Sequence, residues 1–537
     1  MAILCQSVIF TAIISVCVAF EKSLIVTTTE GQVEGNLAES GLYYEFLGIR
    51  YAIPVRFRAP APPQSFAGIY KADNRAVLCP QFTTYDPLAA PSDNEDCLVL
   101  NIFTPTFINS TCPVMVYLHG GDFGVGSSSP IFYGPQFLIS HGVIVVTVNY
   151  RLNVYGFLNL GTVDAPGNAG LKDIRAALRW IQDNIQNFKG DPGNVTVFGQ
   201  GSGGVAALYL TMSESTRGLF HRVISESGSP FSPHVFDHTP LKTASNLAKC
   251  LSVNSLNPKT LLKLYTDTPI NKVEKAIETQ MYAKSVFLPS VEKIFDSEEP
   301  FLTDTPFNIL TKKPKCFNPV PAIIGINTVE GLSCILDYYT ITSQMDRINH
   351  EDFSVLDQRN FVIPSDEKED FRRLLRDTFF TEITSDEALV GGLINLNTDF
   401  SYVGPMSLFA DLYANNTNLY QYIFSYIGNR NLGRILTNSS LDATANMDEL
   451  FYVFDLERLP MVMDENDARI VTFITQMWTN FAKYGTPTPD TTNGEWLTYP
   501  HNLEINLEPQ YVSSLTPERS QFWRSLYFKY AAAMARK

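Results

Sequence analysis

Residues 194–204 read NVTVFGQGSGG, and the chemistry this spacing could carry is acyl transfer. In the pattern G-x-S-x-G a strand turns sharply into a helix and lifts one strained side chain clear of an α/β sheet, where its hydroxyl can attack a carbonyl. Here the lifted position is Gly201, which has no side chain to lift. Val195 to Phe198 is a short apolar run expected as a buried strand, and the apolar stretch after Gly204 is expected as the helix. The turn is therefore predicted to be kept and its nucleophile lost. Ser202 stands one residue later, but such an elbow exposes one position only. Ser202 is expected in the first turn of the helix, filling the small site behind the turn rather than acting as a displaced nucleophile. Glycine at position 201 accepts positive φ without a Cβ clash, so the turn is expected to gain ease from the exchange.

The elements that must hold this turn follow from periodicity. Val114 to Leu118 and Val143 to Asn149 are apolar, β-branched runs bounded by Pro, Gly or charge, the pattern of buried sheet strands. Further strands are predicted at Val223, at Ala322 to Ile326 and at Tyr420 to Ser425. Ile174, Leu178, Ile181 and Ile185 recur at helical spacing through Leu171 to Asn187, and helices are also predicted at Asp366 to Phe379 and Ala468 to Tyr484. This alternation predicts a large mixed α/β sheet flanked by helices on both faces, in one large domain. There is no internal repeat and no long Gly/Ser or Pro-rich linker. A last helix, with Thr516 as cap and Pro517 in the first turn, carries the aromatic stripe Phe522, Trp523, Tyr527 and Tyr530, expected as core or as a contact between chains.

Residues 1–19 contain no charged side chain and end on Cys17, Val18, Ala19, the pattern of a secretory signal, leaving 20–537 as the domain. The expectation is a secreted, extracellular protein with no membrane-spanning segment after cleavage. Sequons at Asn109, Asn194, Asn415 and Asn438 fit that route as glycosylation candidates. Six of the eight cysteines lie beyond residue 19, an even number suited to an oxidising compartment. A formal net charge of −15 argues against nucleic acid or an anionic membrane as partner.

Six further segments occur in a fixed order: FLGIRYA from Phe46, NEDCLVLNIFTP from Asn94, YLHGGDF from Tyr117, NYRLNVYGFL from Asn149, NAGLKDIRAALRWIQDNI from Asn168 and WTNFAKYGTPTP from Trp478. Together they make the chain resemble the type B carboxylesterase and cholinesterase family along nearly all of residues 20–537. The resemblance implies an α/β-hydrolase fold, no cofactor and no metal. It also implies a Cys79–Cys97 disulfide and the ion pairs Arg56–Glu95 and Arg151–Asp173. Cys112, Cys250, Cys316 and Cys334 stay unassigned.

That family uses serine, glutamate and histidine in chain order. The acid maps onto Glu330 in NTVEGL, but the histidine maps onto Asn446, an amide with no proton equilibrium near neutral pH. Neither His350 nor His501 has the family spacing. The H-G-G-G-F loop reads His119, Gly120, Gly121, Asp122, Phe123, so the oxyanion positions the resemblance implies are Gly121, Asp122 and Ser202; the Asp122 carboxylate is expected either close to where negative charge would develop or turned into solvent or onto a loop cap. The resemblance thus implies a silent esterase domain that binds a small apolar ester-like ligand or a protein partner. Gln200 is similar to insect juvenile hormone esterases, which makes a terpenoid or fatty ester the first ligand expected. The alternative is an active carboxylic ester hydrolase using another nucleophile or base. Pairing of chains is expected, if at all, through C-terminal helices.

Overall fold

The fold was taken from a computed structural model, which describes residues 21–81, 92, 94–281, 287–312, 317–336, 338–350, 352–356, 361, 363–381, 385–457, 461–492, 494–513 and 517–531. The signal segment, Thr516 and Cys316 lie outside the described residues.

Fifteen strands are described: β1 (Ser23–Thr27), β2 (Gln32–Leu37), β3 (Tyr43–Arg50), β4 (Ile69–Lys71), β5 (Val99–Pro105), β6 (Cys112–Leu118), β7 (Ile144–Val148), β8 (Asn159–Thr162), β9 (Ala165–Pro166), β10 (Gly190–Gln200), β11 (Arg222–Glu226), β12 (Ala322–Asn327), β13 (Leu419–Phe424), β14 (Asn502–Ile505) and β15 (Gln510–Val512). Thirteen of them form one sheet in the order β1-β2-β3-β5-β7-β6-β10-β11-β12-β13-β14-β15, with β4 beside β2. From β7 to β14 the pairing is parallel, and the antiparallel strands sit at both ends. Parallel strands buried on both faces need unbroken apolar sequence, and β6, β7 and β12 supply it.

Helices cover both faces, and two separate apolar clusters fill the spaces on either side of the sheet. The helix Ala169–Asn184 buries Leu171, Ile174, Leu178 and Ile181, then tightens into a 3₁₀ turn at Ile185–Phe188. Two helix starts differ from the periodicity. The helix expected from Ala468 begins at Glu465, because Asp464 caps it in a reciprocal box with Asp467. The one expected from Asp366 begins at Lys368. Strand β10 runs to Gly190 rather than stopping at Val195, extended past a register irregularity. The C-terminal stripe is intramolecular core: Trp523, Tyr527 and Tyr530 are buried within the chain, and Tyr527 donates its hydroxyl to the Phe231 carbonyl.

Two long-range constraints tie the loops before β5 to the sheet. Cys79 and Cys97 are disulfide-bonded. Arg151 Nη2 meets Asp173 at 2.6 Å, both side chains buried, and also donates to the Arg58 carbonyl, while Nη1 donates to the Val55 carbonyl. Arg56 pairs with Glu95 closer to the surface. Cys112 and Cys250 are free thiols. Burial raises the Asp173 carboxyl above its usual range while Arg151 opposes the rise. Removing one partner strands the other in a dry interior, so Arg151→Met is expected to cost roughly 3–5 kcal/mol of stability. Urea unfolding of the variant beside the parent checks this.

Candidate functional site

Strand β10 ends at Gln200, Gly201 turns with φ 57° and ψ −125°, and Ser202 opens the helix Ser202–Thr211. The turn is pinned from both sides: Gly201 N–H donates to the Glu226 carbonyl at 2.8 Å, and its own carbonyl accepts from Val205 N–H at 3.0 Å. The helix lies almost on the sheet because a Cβ at Gly203 would stand 2.0 Å from the Leu118 carbonyl oxygen. A Cβ at Gly201, by contrast, would meet nothing within 4 Å. The position keeps the backbone of a nucleophile elbow and points into open space.

Ser202 is 2 % exposed, and its hydroxyl accepts from Phe123 N–H at 3.2 Å. It therefore ties the helix to the loop 119–126, away from the open space. That loop carries positive φ at Gly121, Asp122 and Phe123, and it closes through Gly124 and Val125 N–H groups on the Gly121 carbonyl. His119 is buried, with Nδ1 2.9 Å from the Gly120 carbonyl and its ring stacked on Tyr150. Burial lowers its pKa to about 4, so it is a neutral packing histidine.

Glu330 follows β12 in a 3₁₀ turn and is fully buried. One carboxylate oxygen accepts from Asn327 N–H at 2.8 Å and from the Ser227 hydroxyl at 2.5 Å. The other accepts from the Asn446 amide at 2.7 Å. Asn446 in turn accepts from Gln200 Nε2 at 3.2 Å, so the residue before Gly201, Asn446 and Glu330 form one line. The loop bearing Asn446 is fixed by Asp448, whose carboxylate accepts from Ala445 and Arg434 N–H groups. No histidine hydrogen-bonds Glu330 among the described residues. The geometry brings Gly201, Asn446, Glu330 and the loop of Gly121 and Asp122 together, with Ser202 behind them.

Beneath this line lies a network that the motifs did not point to. Ser227 also approaches Glu449 at 3.2 Å, and Asn327 Nδ2 donates to Glu449 at 2.6 Å. Glu226, next in chain to Ser227, accepts from Trp478 Nε1 at 2.7 Å. Burial pushes Glu226 and Glu330 up to about 7. Burial and then the neighbouring Glu330 and Glu226 carry Glu449 well above the carboxylate range. Trp478 stands inside a segment quoted above, but Glu226 is 252 residues from it in sequence, and Ser227 is 222 residues from Glu449. Burial carries the Tyr402 phenol well above its usual range, and the His234 ring lies 6.0 Å from that of Tyr402. Among the described residues no group of three His, Cys, Asp or Glu side chains is placed to hold a metal ion.

An elbow between a parallel strand and a helix, an acid after a later strand and a third group on a loop beyond it define an α/β-hydrolase. The model of the carboxylesterase family matches residues 22–523, and the chain belongs to that family. It is 30 % identical to juvenile hormone esterase of Heliothis virescens over 88 % of this chain and 87 % of that protein. It is also 30 % identical to neuroligin-3 of Mus musculus over 82 % of this chain, spanning 58 % of that protein's length. Its fold superposes on the crystal structure of juvenile hormone esterase from Manduca sexta with OTFP covalently attached. That match has a TM-score of 0.84 at 25 % identity and covers 94 % of this chain and 99 % of that one.

The three raised carboxyls fix a pH dependence. Each folded pKa lies above the ordinary value of 4.5, so the native chain holds protons that the unfolded chain has released. Stability is then lost as pH rises from about 4.5 through 7. Glu449→Gln keeps an acceptor for Asn327 and removes one ionisation. Its stability is expected to gain on the parent by up to about 1.4 kcal/mol per pH unit across that window, read by urea unfolding at pH 5, 6, 7 and 8.

Proposed function

We propose that this protein is a secreted, catalytically silent carboxylesterase-family protein that binds a small apolar ester-like ligand above Gly201 without cleaving it. The observation carrying this reading is the open space at Gly201 facing an amide at Asn446 whose hydrogen bonds are spent on Glu330 and Gln200. Covalent catalysis needs an atom that attacks and a base that takes its proton. In a serine hydrolase the loss of either costs about 10⁶ in kcat, and the losses do not add because the groups act as one unit. The remainder, roughly 10³ to 10⁴ over water, depends on an oxyanion hole that here carries Asp122.

The fold supports retained binding, since the apolar pocket of such a fold does not need the triad for affinity. The Cys79–Cys97 bond and the four sequons support an extracellular setting. No described helix is long and apolar enough to cross a membrane. A second reading, recognition of a protein partner, is favoured by the similarity to neuroligin-3. An active hydrolase built on Ser202 is opposed by that residue's burial and by its bond to the oxyanion loop.

Purified protein is expected to give no burst with p-nitrophenyl esters and no covalent labelling by a fluorophosphonate, the behaviour opposite to the OTFP adduct of the Manduca sexta esterase. Stoichiometric labelling at Ser202 would sink the reading. Gly201→Ser alone is expected to restore little, because Asn446 still cannot accept a proton. The pair Gly201→Ser with Asn446→His is the first variant expected to label.

A further inference from the structure

We propose that the cleft between the helices Pro240–Cys250, Pro258–Asp267 and Ile270–Met281 is a second ligand site, one that takes an alkyl carboxylate with its head on Lys272. The cleft shares no lining residue with the site at Gly201, and the inference does not depend on what that site binds.

These three helices carry a charge that the rest of the chain does not. The whole protein is formally −15, yet residues 240–281 hold six lysines against three acidic residues. All six lysines are exposed. Asp267 pairs with Lys263 and Glu278 with Lys275, each within its own helix. Glu274 is buried, and burial lifts its pKa to about 8, so at pH 7 it is mostly protonated and offsets little. Lys242, Lys249, Lys259 and Lys272 keep no ion pair among the described residues.

The helix Pro258–Asp267 divides its side chains between two faces. Leu261 and Tyr265 are buried in the core. Thr260, Lys263, Leu264 and Asp267 recur at helical spacing on another face and line the cleft instead. Leu251 and Val253, from the turn after the first helix, add apolar lining to Leu264, and Lys272 of the third helix adds the charge. Local bonds hold this shape: Val253 N–H donates to the Ala248 carbonyl at 2.8 Å, and the Thr268 hydroxyl to the Leu264 carbonyl at 2.6 Å.

The cavity volume is about 510 Å³, the size of a small-molecule site. Of the two lysines that line it, Lys263 is answered by Asp267 and Lys272 is unanswered, which matches a single negative head rather than a polyanion. Lys242, Lys249 and Lys259 on the same helices raise the local concentration of anions through their summed field. An alkyl carboxylate meets each of these features, its tail covering Leu251, Val253 and Leu264 and its head meeting Lys272. An alcohol of equal length lacks the charge, and an alkylammonium brings the wrong one.

Calorimetric titration of the full chain at pH 7 and low salt with octanoate, octan-1-ol and n-octylamine tests this. Saturable octanoate binding is expected, tighter than that of the other two. Lys272→Gln is expected to weaken it about fivefold, a difference that shrinks in added salt, while Lys272→Arg keeps it. Lys275→Gln, on the same helix but outside the cleft, is expected to leave it unchanged. Both lysines are exposed, so equal thermal melting of the variants and the parent is expected to show that the change is local. No saturable octanoate binding, tighter binding of octylamine, or octanoate affinity unchanged in Lys272→Gln would each overturn the proposal, the last by placing octanoate elsewhere, the space at Gly201 included. An equal loss in Lys275→Gln would overturn it too, leaving a diffuse basic face that suits acidic macromolecules. None of these outcomes alters the ester assay, so the silent reading stands or falls separately.

Discussion

A buried carboxylate must be answered by hydrogen-bond donors, and the site is organised around that demand at Glu330. In an esterase the answer includes an imidazole, which also moves protons. Here the donors are the Asn327 backbone, Ser227 and the Asn446 amide. All three orient the acid, and none accepts a proton from a nucleophile. The acid is kept because its removal would leave those donors unpaired in a dry interior, a cost of about 1–3 kcal/mol for each stranded group. On the proposed reading, Glu330 serves folding rather than chemistry. The same logic explains Asn446: an amide offers a donor and an acceptor, as a neutral imidazole does, and here the donor serves Glu330 and the acceptor takes Gln200.

The elbow obeys a different constraint. A strand-to-helix turn that packs its helix onto the sheet at Gly203 goes with backbone at positive φ two residues earlier, at Gly201. For serine that conformation is strained, and strain of this kind persists only where surrounding structure enforces it, at a cost on the order of 1–3 kcal/mol. Glycine carries no such penalty. On the proposed reading, the absent nucleophile and the relaxed turn come from one residue, Gly201, so the scaffold carries no energetic penalty for being silent. The superposition on an esterase with a covalent adduct, at a TM-score of 0.84, is consistent with a scaffold under no such penalty.

What the sequence made legible follows from how local each cause is. The elbow, the parallel core strands and the helix through Ile174 and Ile181 are written in short patterns of apolar residues and glycines. Strand β6 and strand β12 needed no partner to be recognised, because burial on both faces leaves only apolar positions. The helix starts at Glu465 and Lys368 were missed by two or three residues, since a cap such as Asp464 with Asp467 competes with apolar periodicity and wins. The carboxylate network was not legible. Ser227 meets Glu330 across 103 residues and Glu449 across 222, and nothing in either neighbourhood states the pairing. The disulfide and the Arg151–Asp173 pair are equally distant from local pattern; they were reached through family resemblance and not through spacing.

The altered loop bears on the order in which activity could return. On the proposed reading, chemistry needs a nucleophile at position 201 and a base at position 446, yet repairing both leaves Asp122 in the loop that the family resemblance assigns to the oxyanion. Preorganised N–H groups stabilise such an oxygen because they are already oriented and the site excludes water, and removal of a single donor costs about 2.7–4 kcal/mol in a protease. A carboxylate near that field acts with the opposite sign, and the exposure of Asp122 lets solvent weaken but not reverse it. A chain restored at positions 201 and 446 would therefore acylate from a reactive probe more readily than it would turn over a plain ester, since the first step is driven by the leaving group and the second by the hole. Asp122→Gly belongs in the same construction, and its effect on turnover should exceed its effect on labelling.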